Sequence, residues 1–244
     1  MLGSTGGQTE FNLEAARISA LPADAFYISN FLSEDEERWL LQKVTSAPLP
    51  RWTQLSRRRL QTWPSALTKT NTLLASPLPG WLVSPIIEPR FKSLGIFEDA
   101  PHGAPNHVLV NEYQPGQGSC RTRTAPPITH SWQPQTSADD GMEESEALAE
   151  TSRTNQAPQF RILQERRSLL ITRGKLYTDF LHGIAETTTD AHLDAQSICN
   201  WDLLREINPY QDGCYQRETR TSLTYRDVLK VAKMGNTMKF LGGR

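Results

Sequence analysis

The chain has 244 residues and a formal net charge of −1, which excludes the overall basicity of a protein that coats nucleic acid while leaving room for a local basic patch. Hydrophobic residues make up 37% of it, mean hydropathy is −0.52, and no apolar run approaches the ~20 residues of a membrane span, so a soluble, non-membrane chain is expected. Cys120, Cys199 and Cys214 form no Cys-x-x-Cys pair and leave an odd count, which argues against a disulfide framework or structural zinc and for a reducing nuclear and cytoplasmic setting.

The length suits one domain over 21–244, able to bury about 70–75% of the surface its unfolded chain exposes. A disordered tail is expected over 1–20, which has neither the basic start nor the apolar stretch of a secretory signal. Residues 26–32 read as a short strand. Ser33 follows with Glu36 three positions on, a capping box whose side chains take up N–H groups orphaned in the first helical turn. Glu34, Asp35 and Glu36 suit the positive end of that helix. Trp39, Leu40 and Val44 supply its apolar stripe, and Pro48 and Pro50 end it. Residues 51–63 are basic and carry Trp52 and Trp63; Pro-rich loops around Pro77, Pro79 and Pro89 come next. A buried strand is expected over 106–113, closed by Pro115-Gly116, another over 168–172, stopped by Arg173-Gly174, and a strictly alternating one over 219–226. Residues 119–158 have no helical or strand period and are expected to be irregular or disordered. A second polar stretch, 186–200, reads as an inserted surface loop. The class is mainly β with flanking helices.

Three pieces carry polar chemistry. Asn111 and Tyr113, at i and i+2, emerge on one face of a strand. His182 sits among apolar residues beside Gly183. In 220–226, Arg220, Ser222, Thr224 and Arg226 share one face while Thr221, Leu223 and Tyr225 share the other. Taken singly, each has a plain structural explanation as a solvated strand face or a core histidine. Their order along the chain, with these neighbours, sets them apart.

Residues 106–118 (NHVLVNEYQPGQG), 167–174 (RSLLITRG), 177–186 (YTDFLHGIAE) and 220–226 (RTSLTYR) resemble the core of the AlkB-type dioxygenases. WTQLS at 52–56 and PGWL at 79–82 resemble the AlkB homolog six branch. The resemblance spans most of 22–118 and 158–230. It implies a double-stranded β-helix, or jelly roll, that holds Fe(II) and 2-oxoglutarate, incomplete here by one or two strands. By that resemblance Asn111 and Tyr113 would hydrogen-bond the cosubstrate. Arg220 would take its distal carboxylate in a bidentate pair, Ser222 would line the same wall, and Arg226 would lie toward the metal. His182 would be the distal iron ligand. The implied reaction is oxidative demethylation of alkylated nucleic acid or of a methylated protein, releasing formaldehyde, succinate and CO₂, by a monomer. Arg51, Trp52, Arg57, Arg58, Arg59 and Trp63 would then form a lid of phosphate charge and stacking surface, unless the tryptophans belong to the core.

Such a centre needs two histidines and one carboxylate. The family supplies the first two ligands as His-x-Asp shortly after the Asn-x-Tyr strand, whereas this chain has Arg121-Thr122-Arg123-Thr124. His130 with Asp139 or Asp140 lacks the spacing to replace them. Permissible codons for residues 119–134, read from the last base of the Ser119 codon, give Met-Pro-His-Glu-Asp-Gly-Ala-Ala-Tyr-His-Pro-Leu-Val-Ala-Thr. The His falls across the codons of Arg121 and Thr122, and the Asp across those of Arg123 and Thr124. The family-like frame resumes by Phe160. The chain therefore reads as a frameshifted or mis-spliced form of a metal-binding enzyme, itself inactive. The alternative is a natural pseudoenzyme, a non-catalytic module that binds nucleic acid or protein.

Overall fold

The computed structural model describes residues 12–21, 24–122, 131–132 and 160–232. Ser33 caps a helix, α1 (Glu34–Thr45), in both directions expected of a capping box. Its Oγ accepts from the Glu36 N–H at 3.2 Å, and its own N–H donates to Glu36 Oε2 at 2.8 Å. The same carboxylate accepts from Arg90 Nη2 at 2.9 Å, and Glu37 accepts from Arg166 at 3.0 Å, so the acidic first turn also docks the helix. Ser33→Ala should cost about 1 kcal/mol, read as a lower urea midpoint with an unchanged slope; no shift in the midpoint would mean the cap is dispensable.

The chain is mainly β sheet with few helices. The strands are β1 (Ala25–Ile28), β2 (Thr53–Leu55), β3 (Arg58–Trp63), β4 (Leu73–Leu74), β5 (His107–Tyr113), β6 (Ser119–Thr122), β7 (Ser131–Trp132), β8 (Leu169–Thr172), β9 (His182–Ile184), β10 (Thr189–Ala191), β11 (Cys214–Gln216), β12 (Arg220–Arg226) and β13 (Val231–Ala232). Seven form one antiparallel sheet in the order β1-β8-β7-β12-β5-β3-β2. The pairs β6–β9, β10–β11 and β4–β13 make three small sheets, the last parallel.

One face of the large sheet is apolar. Phe26, Ile28, Val108, Leu169, Ile171 and Tyr225 pack there against Leu40 of α1 and against Leu82, Ile86 and Phe91. Gln61 reaches the same layer and donates to Val44 O at 2.8 Å. Yet all seven residues of β5 are buried, so its opposite face is covered as well, and that face is polar.

Several expectations need correcting. Part of the supposed tail is packed: Ile18 is buried, its N–H donates to Ala25 O at 2.9 Å, and Arg17 bridges to Phe26. The irregular stretch begins later than 119, because β6 pairs with β9 and β7 sits between β12 and β8. The rest of that stretch, 123–130 and 133–158, lies outside the described residues, as do 1–11. The prolines near 79–89 mark a packed segment rather than a plain surface loop: Gly80–Leu82 is a helical turn, Val83–Phe91 is broken by extended backbone at Ser84 and Glu88, each just before a proline, and Leu82, Ile86 and Phe91 enter the core. The polar stretch 186–200 is no mere insertion, since β10 pairs with β11 and buried Leu193 and Ile198 meet Tyr210.

Candidate functional site

The floor of the site is the β5–β12 pair. Its register sets Tyr113 opposite Arg220, Asn111 opposite Ser222, Leu109 opposite Thr224, and His107 opposite Arg226. Directly opposed residues in antiparallel strands present their side chains on one face. The five residues singled out as cosubstrate candidates, Asn111, Tyr113, Arg220, Ser222 and Arg226, therefore share that face. Burying polar groups is costly unless something satisfies them, and here Asn111, Ser222, Thr224, Arg226 and His107 are all buried. Ser222 Oγ has no hydrogen-bond partner among the described residues.

The two arginines stand at opposite ends of the face, about 20 Å of strand apart. Arg220 donates through Nη2 to Gln164 Oε1, and burial pulls its guanidinium down to about 10. Arg226, at 0% exposure, lies beside His107 at 1%. Burial first, and the Arg226 charge second, push the His107 imidazole down to about 3 against a smaller opposing effect of the Ser65 backbone. His107 is thus neutral at ordinary pH. It went unremarked in the sequence because its own neighbours, Val108 to Val110, read as a plain buried strand.

His182 lies elsewhere, on β9 in the small sheet with β6. The chain reaches β6 from Tyr113 through a turn in which Gln117 N donates to Gln114 O at 2.9 Å and Gly116 takes a positive φ of 86°, the type II geometry of Pro-Gly. Gly118 follows where a Cβ would come within 2.4 Å of Ile184 O, so only glycine allows the two strands this approach. The register then sets Thr122 opposite His182. Both ring nitrogens of His182 are buried without a hydrogen-bond partner among the described residues, and burial lowers its pKa. A neutral imidazole with free nitrogens is the form that binds a metal.

Comparison with known proteins is decisive at the family level. The chain is 34% identical over 235 residues, 91% of its length and 93% of the relative's, to the "Probable RNA/DNA demethylase ALKBH6" of Danio rerio. The chain belongs to the AlkB family, in its ALKBH6 branch. The solved structure of OsALKBH1 matches it at a TM-score of 0.42 and 12% identity, over 85% of this chain and 99% of that one. No family model matches.

Membership of the AlkB family implies an Fe(II) and 2-oxoglutarate site, and the two halves of that site fare differently in this chain. The polar face offers guanidinium, amide, phenol and hydroxyl groups suited to a carboxylate-bearing cosubstrate. The metal half does not fit. His182 is one suitable donor, but the residue opposite it is Thr122, the sequence run Arg121-Thr122-Arg123-Thr124 holds no histidine or carboxylate, and among the described residues no three His, Cys, Asp or Glu side chains are grouped to hold a metal. His130, Asp139 and Asp140 lie outside the described residues.

The candidate lid resolves into a hairpin, β2–β3, at one edge of this AlkB-family sheet. Arg59 forms a bidentate pair with Glu112 at 2.8 and 2.9 Å and lies 4.2 Å over the Trp52 ring. Arg57 pairs with Glu186, and Arg51 lies 4.2 Å over Trp63. Trp63 packs edge-on against Trp81 on the apolar side, which favours the core reading for that tryptophan. Strand alternation puts Arg59, Gln61 and Trp63 on the apolar face and Arg58, Leu60 and Thr62 on the polar one. Arg58 is the site-face residue that the run of basic residues had hidden.

Proposed function

We propose that the gene's intact product is an Fe(II)/2-oxoglutarate-dependent demethylase of alkylated nucleic acid, and that this chain keeps the cosubstrate wall while lacking the metal centre. The β5–β12 register carries the reading, because it gathers buried Asn111, Tyr113 and Ser222 with half-buried Arg220 on one face. Arg220 would anchor a distal carboxylate through its planar fork. Asn111 and Tyr113 would orient the remainder, Ser222 would line the wall, and Arg226 would supply positive charge toward the metal end. His182 would be the surviving ligand. The large sheet with β6 and β9 beside it is read as a double-stranded β-helix short of one or two strands. Nucleic acid is preferred to methylated protein because the Danio rerio relative is named an RNA/DNA demethylase, and such a substrate would present its base unpaired or flipped out.

Succinate release from 2-oxoglutarate, with Fe(II) and ascorbate supplied, tests the reading. The chain should release no more than its His182→Ala variant, since one imidazole does not make a facial triad. Turnover clearly above that control would overturn the claim that the centre is broken. Among the described residues no helix is long and apolar enough to cross a membrane.

A further inference from the structure

Tyr113 has a second arginine neighbour besides Arg220. β5 lies between β12 and β3 in the sheet. Arg59 opposes Glu112 on the apolar face, so Arg58, one residue earlier, projects to the polar face beside Tyr113, where its guanidinium carbon lies 6.0 Å from the ring centroid. Tyr113 is thereby flanked on one face by Arg220 from one strand and Arg58 from the other. Their backbones are about 10 Å apart, two strand spacings, and both side chains are long enough to converge between them.

The charges on this hairpin are not treated alike. Arg57 and Arg59 each pair with a carboxylate, Glu186 and Glu112. Arg58 is only 5% exposed, and its Nε is buried with no hydrogen-bond partner among the described residues. Arg58 makes no salt bridge among the described residues, an arrangement hard to explain as packing alone when Leu60, on the same face, is apolar. Gln164, which accepts from Arg220, has its own Nε2 buried without a partner among the described residues. Arg58 Nε and Gln164 Nε2 are both donors, and an anion's oxygens are what both would satisfy.

We propose that Arg58 and Arg220 form a two-arginine clamp for one carboxylate of a short dicarboxylate, and that the clamp binds it without a metal. Ser222 and Asn111 lie two residues along their strands from Arg220 and Tyr113, about 7 Å away, which is the reach of a four- or five-carbon dicarboxylate. Arg226, near the far end, is too distant to share so short a ligand. The proposal rests on the reading of the polar face given above, and adds to it Arg58 and independence from iron.

Isothermal titration of the full chain in excess EDTA, with succinate, 2-oxoglutarate and inorganic phosphate as separate probes, tests it. Both dicarboxylates should bind, and phosphate at least tenfold more weakly. Arg58→Ala and Arg220→Ala should each weaken dicarboxylate binding at least tenfold, with Arg58→Lys restoring part of the loss because it keeps the charge without the fork. Thermal unfolding identifies any variant that fails to fold, and Arg58→Gln, which removes the charge with little change of bulk, then takes its place. If Arg220→Ala weakens binding while Arg58→Ala and Arg58→Gln do not, the clamp is wrong and the polar-face reading stands. If neither arginine matters, or nothing binds with or without Mn(II), both fail. Binding that requires Mn(II), or phosphate that binds as tightly, overturns the metal-free dicarboxylate site.

Discussion

Thr122→His combined with Thr124→Asp should turn a chain with one isolated imidazole into one that binds a divalent metal through His182. The alternative reading frame leaves the His ambiguous between positions 121 and 122. The structure favours the second, because the register sets Thr122 opposite His182, and directly opposed Cβ atoms are about 4.5–5.5 Å apart. Two imidazoles at that separation can meet on one ion, and His-x-Asp then brings a carboxylate from two residues on. Mn(II) affinity, followed by the loss of the free-ion resonance signal, should rise by about 100-fold over the parent chain, or roughly 2.7 kcal/mol. His182→Ala in the substituted background should cancel the gain. Iron-dependent 2-oxoglutarate consumption should appear only with both substitutions and His182 in place. A folded double variant that binds Mn(II) no better than the parent would sink the idea that the ligand pair belongs opposite His182.

Local rules made some of the molecule legible. The Ser33–Glu36 box and the alternation of 220–226 concern neighbours in sequence, and α1 and β12 appear where those rules put them. The grouping of Asn111 and Tyr113 with Arg220 and Ser222 was readable only through family resemblance, because residues about a hundred positions apart meet by sheet register. Arg58 was hidden for a related reason. In a run of three arginines nothing local says which one turns inward, and the pairing of Arg59 with Glu112 across the sheet decides it. Leu193 and Ile198 likewise looked like minor apolar residues in a polar loop until Tyr210 supplied the other side of a small core.

Acid should destabilise the fold well before its carboxylates titrate, and His107 should be the main cause. Its pKa falls from 6.5 to about 3 on folding, chiefly by burial and then by the Arg226 charge across the strand pair. The lowered value fixes the sign. Between pH 6.5 and 3 the unfolded chain binds a proton at this site that the folded chain refuses, so stability is fully present above 6.5 and is lost as pH falls. By pH 5 the loss from this group is about 2 kcal/mol, with no discount for solvent because the residue is 1% exposed. His182, lowered by burial too, acts in the same direction. The carboxylates of Glu36 and Asp194 are held below 4.5 and 3.8, so they contribute only at lower pH and leave the interval from 6.5 to 5 to the histidines. Urea midpoints at pH 7.5 and pH 5 should therefore differ strongly for the parent chain and much less for His107→Gln, which cannot titrate. A lower midpoint of His107→Gln at pH 7.5, from imperfect packing, leaves the comparison intact, because the quantity read is the difference between the two pH values. Equal acid losses in parent and variant would show that His107 can be charged beside Arg226 after all.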